Sequence, residues 1–178
     1  MTHSLITITG HLGSGKSTVA QMLSKHLGWE YYSTGMAQRL IAQKRGISAM
    51  ELNRLAITDP SIDAEIDGVF QNPPWGEKKC VVDSRLAFYF LPDSLKVCLQ
   101  VDTLTAANRI WNAKGRVSEH YASEEEARVY LQKRSELEQA HFIKNYHLDI
   151  TNLNQFDLVI DTTNRTPEEV CEKILAHL

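Results

Sequence analysis

Short apolar runs alternate along this chain with segments whose apolar residues recur at helical spacing. Residues 5–8 form a β-branched run that ends at Gly10, which is typical of a first strand. Similar runs predict further strands at residues 29–32, 80–82, 95–101 and 158–160. Between these runs the apolar positions recur every three or four residues, which predicts helices that begin near residues 16, 37, 48, 60, 103, 123 and 166.

Capping residues support two of these helix starts. Ser48 with Glu51, and Thr166 with Glu169, have the spacing of a capping box. Strands that alternate with helices imply parallel β-α-β units whose sheet is covered on both faces. The pattern therefore predicts an α/β fold with three layers, built on a five-stranded parallel sheet.

The composition is that of an ordinary globular protein. The 178 residues fit one domain, with 43% hydrophobic and 23% charged residues. The net charge of −3 argues against an extended nucleic-acid surface, which is usually basic. We expect no membrane span, because no apolar run approaches the roughly 18 residues required, and no secretory signal. Three widely spaced cysteines indicate buried thiols in a reducing compartment, so we expect a cytoplasmic protein.

The segment Gly10–Ser17 fits the phosphate-binding pattern G-x-x-x-x-G-K-[ST] and lies between a predicted strand and a predicted helix. Its glycines let backbone N–H groups converge on phosphate oxygens, and the positive end of the following helix adds to that field. We expect Lys16 to reach the β- and γ-phosphates of ATP and the Ser17 hydroxyl to ligate Mg²⁺. The predicted nucleotide-binding residues are Gly10, Gly13, Ser14, Gly15, Lys16, Ser17 and Thr18.

This loop, the P-loop, occurs in kinases, GTPases, motor proteins and many ATPases, so it does not by itself choose a function. The chain has no Asn-Lys-x-Asp segment with which a GTPase would read guanine, and large ATPase modules need a longer chain. A short P-loop protein with arginines after its other strands indicates a kinase that acts on a small acceptor.

Further motifs carry a resemblance that runs from Leu5 to the C-terminal helix. They are Tyr32-Ser33-Thr34-Gly35 with Arg39, Asp59-Pro60-Ser61-Ile62-Asp63, Val81-Val82-Asp83-Ser84-Arg85-Leu86, Asn108-Arg109-Ile110, Arg134, Tyr146-His147-Leu148-Asp149-Ile150, and Phe156-Asp157-Leu158-Val159-Ile160-Asp161-Thr162. With these motifs the chain resembles the nucleoside monophosphate kinases, and most closely the short archaeal-type cytidylate kinases. The resemblance implies a single P-loop kinase domain over residues 1–178, with a helical lid.

The resemblance also implies an acceptor-binding segment at about residues 33–75. Arg39 and Arg85 would bind the monophosphate of the acceptor, since a guanidinium group matches a phosphate in a two-point contact. Asp63 lies in the segment that closes over the acceptor nucleotide in this family, and it is the third predicted substrate-binding residue.

The family's lid corresponds to about residues 109–134, which would close over the transferring phosphoryl group. There Arg109, Arg116 and Arg134 would neutralise the charge that develops on that group. Arg109 and Arg134 join Lys16 as the predicted catalytic residues. Asp83, together with Ser17, would hold Mg²⁺.

The chain departs from the family pattern at several positions. Met36 stands where an acidic residue is usual, Ala113 where a second lid arginine is expected, and His141 where a late arginine of the lid helix is expected. Lys114 and Arg116 are candidate substitutes for the second lid arginine. These departures weaken the assignment of CMP as the acceptor and raise the chance of low activity.

Two other functions therefore stay open. The first is a kinase that acts on a hydroxyl acceptor, for which Asp83 is the candidate base. The second is a nucleotide-binding module without activity. Either way, the expected partner is a small nucleotide, and the sequence leaves monomer and homodimer open.

Overall fold

A computed structural model of the chain describes residues 3–113 and 121–178, apart from the side chains of residues 49 and 50. The strands are β1 (Leu5–Gly10), β2 (Glu30–Ser33), β3 (Cys80–Asp83), β4 (Leu95–Gln100) and β5 (Leu158–Asp161). They form a five-stranded sheet in the order β2-β3-β1-β4-β5, and every neighbouring pair is parallel. The predicted five-stranded parallel sheet is confirmed.

The helices surround this sheet. Over the described residues they are α1 (Lys16–Leu27), α2 (Thr34–Lys44), α3 (Ala49–Ala56), α4 (Pro60–Asp67), α5 (Ala87–Phe90), α6 (Thr103–Trp111), α7 (Glu124–Tyr146) and α8 (Pro167–Leu175). Helix α2 begins at Thr34 rather than near residue 37, because the extended Ser33 already serves as its N-cap. Helix α5 is absent from the sequence prediction, since its four apolar residues show no helical periodicity. None of the helices in the described part of the chain is long and apolar enough to cross a membrane.

The two predicted capping boxes are present. The Ser48 side chain accepts from the Glu51 N–H, and the Glu51 side chain accepts from the Ser48 N–H. Thr166 and Glu169 make the same reciprocal pair at the start of α8. Each box satisfies backbone donors that have no partner within the helix, which explains why the start of the helix can be predicted locally.

Apolar side chains cover both faces of the sheet, which gives the three layers. On one face α1 and α8 pack on the strands, with Leu23 and Ile174 fully buried against Ile8. The other face is covered by aromatic side chains, including Phe70 and Trp75. In the register of β1 and β3, Ile8 lies beside Asp83, so the P-loop and Asp83 share the carboxyl edge of the sheet. Ligands of open α/β sheets bind at this edge.

Candidate active site

The loop between β1 and α1 requires glycine where its backbone passes other elements. Gly10 has a φ of 142°, and a Cβ there would lie 2.0 Å from the carbonyl oxygen of Leu99. Gly13 has a φ of 78°, and its Cβ would lie 2.8 Å from the Cα of Ala106. Gly15 adopts a φ of 83° directly before α1. The chain therefore has the strand–loop–helix context that the phosphate-binding motif requires.

The ammonium group of Lys16 lies over this loop. Its Nζ donates to the carbonyl oxygens of Gly10, at 3.1 Å, and of His11, at 2.7 Å. Burial, followed by the positive charge of Arg85, lowers the pKa of Lys16 to about 7. A phosphate beside Nζ would favour the charged form again, so the surroundings of Lys16 suit an anion.

A hydroxyl group and a carboxylate meet next to the loop. Ser17 Oγ donates to Asp83 Oδ2 at 2.5 Å, and the Tyr31 hydroxyl donates to the same oxygen at 3.4 Å. Such oxygen ligands suit Mg²⁺, which takes its remaining ligands from phosphates and water. Within the same loop the buried Ser14 Oγ has no hydrogen-bond partner among the described residues, as expected of a loop that a bound phosphate completes. The residues present therefore fit ATP with Mg²⁺.

Two of the predicted arginines converge on one carboxylate beside the loop. Arg85 Nη2 lies 2.9 Å from Glu138 Oε2 as an ion pair that lacks hydrogen-bond geometry, and Arg85 Nη1 donates to the Gly10 carbonyl oxygen. Arg134 Nε donates to Glu138 Oε1 at 2.9 Å. Burial opposes the charge of Glu138, but the two arginines outweigh it and lower the pKa of that carboxyl. Sequence reasoning missed Glu138.

Arg109 lies on a different side of the loop. Its Nη2 donates to the carbonyl oxygens of Thr162, at 2.7 Å, and of Thr163, at 3.3 Å. Its Nη1 reaches the Gly13 carbonyl oxygen at 3.5 Å, and the Thr162 hydroxyl donates to the Ser14 carbonyl oxygen at 3.1 Å. The structure thus joins Arg109 to the loop and to the segment after β5, and it does not bring Arg109 to Glu138.

The predicted acceptor segment reaches the site from helices α2 and α4. Arg39 is exposed on α2 and makes no hydrogen bond or ion pair with any residue that the structure describes. Asp63 on α4 is held by α7, because its Oδ2 lies 2.9 Å from His141 Nε2 and 3.1 Å from Asn145 Nδ2. The arginine that is expected at position 141 is thus replaced by a histidine that still contacts a carboxylate.

A second carboxylate of α4 is tied to the end of α7. The Tyr146 hydroxyl donates to Asp67 Oδ2 at 2.5 Å. Burial raises the pKa of Asp67 to about 6, and nearby Asp63 adds to the rise, although the Tyr146 hydrogen bond and the charge of His141 oppose it. The same burial, and then the bond to Asp67, raises the pKa of Tyr146.

One face of α7 carries four of the residues that make these contacts. Arg134, Glu138, His141 and Asn145 follow one another at intervals of four, three and four residues, which places them on one side of a helix. The stripe extends over about 16 Å at 1.5 Å per residue and joins the P-loop to the acceptor segment. This polar spacing was the available sequence signal for Glu138 and Asn145.

The remaining residues that the sequence analysis singled out are either outside the described part of the chain or exposed. Lys114 and Arg116 lie outside the described residues. Met36 is half exposed on α2, and Thr18 is exposed in the first turn of α1. The roles of the arginines, of Asp63 and of Asp83 remain predictions.

Comparison with known proteins decides the family. A family model described as an AAA domain matches residues 6–131. A cytidylate kinase of Sulfurisphaera tokodaii is 33% identical over 174 residues, which cover 98% of this chain and 94% of that protein. The chain belongs to the cytidylate kinase family. The predicted family of P-loop nucleotide kinases is therefore confirmed.

This cytidylate kinase family member is also similar to a part of a longer protein and to a solved kinase structure. An S-adenosylmethionine-dependent nucleotide dehydratase of Lacinutrix mariniflava is 33% identical over 97% of this chain, which spans only about a third (35%) of that protein's length. A shikimate kinase structure from Bacteroides thetaiotaomicron superposes with a TM-score of 0.65 at 13% identity, and covers 98% of both chains. At that identity the likeness shows the P-loop kinase fold alone.

Proposed function

We propose that the protein transfers the terminal phosphoryl group of ATP to the phosphate of a nucleoside monophosphate, with CMP or dCMP as the acceptor. The observation that carries this proposal is the convergence of Lys16, Arg85 and Arg134 on one edge of the sheet, beside the Ser17–Asp83 pair. These cations suit the charge of two phosphorylated substrates. The acceptor class rests on the 33% identity to the S. tokodaii cytidylate kinase over nearly the whole of both chains.

In this proposal each group has a role that its chemistry supports. Lys16 binds the β- and γ-phosphates, and Ser17 with Asp83 holds Mg²⁺, which when bound supplies positive charge to the phosphates. Arg85, with Arg39 from α2, binds the acceptor phosphate. Their guanidinium groups orient an acceptor oxygen toward the γ-phosphate, and this positioning is the main contribution that such a transfer needs.

Arg134 neutralises charge on the transferring group. Its position on the same carboxylate as Arg85 supports this role, because the two guanidinium groups then face neighbouring phosphates. Arg109 supports the loop from the side of Thr162. The ionised acceptor phosphate is already a competent nucleophile, so the reaction needs no general base.

The hydroxyl-acceptor alternative requires Asp83 as a base. In the structure Asp83 Oδ2 already accepts from Ser17 and Tyr31, and this engagement favours a metal-binding role over proton abstraction. We place the activity in the cytoplasm, whose reducing conditions suit the buried free thiols of Cys80, Cys98 and Cys171.

A coupled ADP-release assay tests the acceptor. The panel holds CMP, dCMP, UMP, AMP, GMP, unphosphorylated nucleosides and shikimate, each with ATP and Mg²⁺. We expect turnover with CMP or dCMP and none with the hydroxyl acceptors. Asp83→Asn should reduce this turnover while leaving a residual rate, whereas a hydroxyl acceptor would lose its rate almost entirely. Asp93→Asn, which changes an exposed carboxylate in the loop before β4, is the control. Turnover confined to hydroxyl acceptors would contradict the proposal.

A further inference from the structure

Glu138 is the one carboxylate that the structure places between two of the proposed phosphate-binding arginines, among the residues described. Each of its two oxygens contacts a different arginine: Oε2 lies 2.9 Å from Arg85 Nη2, and Oε1 lies 2.9 Å from Arg134 Nε. The side chains of Glu138, Arg85 and Arg134 are 20%, 19% and 29% exposed. Water therefore screens these ion pairs only partly. A carboxylate that holds two guanidinium groups from different elements fixes their relative position.

The charge balance around the loop explains why such a group is needed. Lys16, Arg85 and Arg134 bring three cations together, and Arg85 disfavours the charged form of Lys16. Glu138 favours that charged form and offsets part of the repulsion. Without an anion between them, the two arginines would separate toward solvent, because like charges at this range repel.

We propose that Glu138 is a positioning residue that aligns Arg85 and Arg134 beside the P-loop and yields them to the phosphates of the bound substrates. This inference rests on the proposed function, because the phosphates are those of ATP and of the acceptor. Glu138 and a phosphate group compete for the same guanidinium donors. A phosphate carries more charge and more acceptor oxygens than a carboxylate, so it displaces Glu138 at a cost in binding.

Two effects of opposite sign follow for Glu138→Gln. Binding of a nucleoside triphosphate should tighten, because the carboxylate no longer competes with the γ-phosphate for Arg134. Glu138 also favours the charged form of Lys16, but a bound phosphate beside Nζ takes over that role. The rate of transfer should fall, because the arginines lose the contact that aligns them before the reaction. A substitution that only damaged the fold would weaken binding and slow the rate together.

The test measures the two effects separately. Isothermal titration calorimetry gives the Kd for AMP-PNP, a non-hydrolysable ATP analogue that keeps the γ-phosphate, and steady-state assays with ATP and CMP give kcat and KM. For Glu138→Gln we expect the Kd for AMP-PNP to fall about threefold and kcat to fall at least tenfold, as when a supporting partner of an active-site group is removed. Glu136→Gln is the control, since Glu136 is exposed on the same helix and accepts only from Gln132 among the described residues. It should change neither quantity.

Glu138→Asp provides a second variant if Glu138→Gln does not fold. It keeps the charge but is too short to contact both arginines, so kcat should fall while the Kd for AMP-PNP stays within twofold of the wild type. A wild-type kcat for either variant, or a Kd for AMP-PNP that rises in Glu138→Gln, would overturn the inference. The calorimetric arm needs no acceptor, so it still tests Glu138 if CMP is not phosphorylated and the proposed function fails.

Discussion

The contact between Asp67 and Tyr146 makes the stability of the protein depend on pH in a defined way. Asp67 lies partly buried on α4, where the Tyr146 hydroxyl donates to it at 2.5 Å. Burial raises the pKa of Asp67 from 3.8 to about 6, with a further contribution from Asp63. At neutral pH the folded protein therefore carries a carboxylate whose ionised form is unfavourable. Asp67→Asn removes that charge and keeps an oxygen that accepts from Tyr146.

The size of the effect follows from the two pKa values. Because the folded state binds the proton of Asp67 more tightly, this group stabilises the fold below about pH 4, and the contribution is lost as the pH rises through about 6. A difference of about two pKa units corresponds to at most about 3 kcal/mol. Partial exposure to solvent reduces this value. We therefore expect Asp67→Asn to be more stable than the wild type by about 1–2 kcal/mol at pH 7.5, and by much less at pH 4.

Urea denaturation followed by tryptophan fluorescence measures the free energy of unfolding at both pH values. Asp93→Asn serves as the control, because Asp93 is exposed in the loop before β4. This control should show no such difference between pH 4 and pH 7.5. An Asp67→Asn protein that is less stable than the wild type at pH 7.5 would refute the reasoning, as would a gain of equal size at both pH values.

Two further predictions concern the loop and the acceptor segment. Gly10→Ala should destabilise the fold by about 3 kcal/mol or more, because its Cβ would lie 2.0 Å from the carbonyl oxygen of Leu99. Gly28 is also at positive φ, but its Cβ would lie in open space, so Gly28→Ala should lower the free energy of unfolding by only about 1 kcal/mol. If a thermal melt showed the same loss of stability for both variants, the close approach of Gly10 to Leu99 would not be the cause. Arg39→Ala should change the free energy of unfolding by less than about 0.5 kcal/mol. Arg39→Ala should also raise the KM for CMP about tenfold. The control Arg54→Ala should change neither the free energy of unfolding nor the KM. An unchanged KM for Arg39→Ala would show that Arg39 does not bind the acceptor.

The fold was largely predictable because its signals are local. Buried parallel strands appear as continuous apolar runs, as in residues 80–82 of β3, and capping boxes such as Ser48 with Glu51 mark helix starts within four residues. Helix α5 was missed because a single apolar turn has no period to recognise. The start of α2 was misplaced because Thr34 and Gly35 are poor helix formers, and Ser33 caps the helix through its backbone geometry without a side-chain bond.

The candidate site was predictable only where its residues are close in sequence. The P-loop motif brings its own spacing, so Lys16 and Ser17 were found directly. Glu138 was missed because its partner Arg85 is 53 residues away, and the polar spacing along α7 does not by itself show that this face meets that arginine. The contact of His141 with Asp63 joins residues that are even further apart in sequence. His141 stood out as a departure from the family pattern, but its partner required the tertiary structure.

The most direct test of the proposed function is the fate of the γ-phosphate. Phosphorus NMR of the protein with ATP, CMP and Mg²⁺ resolves the substrates from ADP and CDP in one spectrum. We predict that CDP and ADP appear in equal amounts with the wild type and with Lys25→Ala, whose lysine is exposed at the other end of α1. Lys16→Ala should form neither. Absence of any phosphorylated acceptor with the wild type, or full activity in Lys16→Ala, would contradict the account.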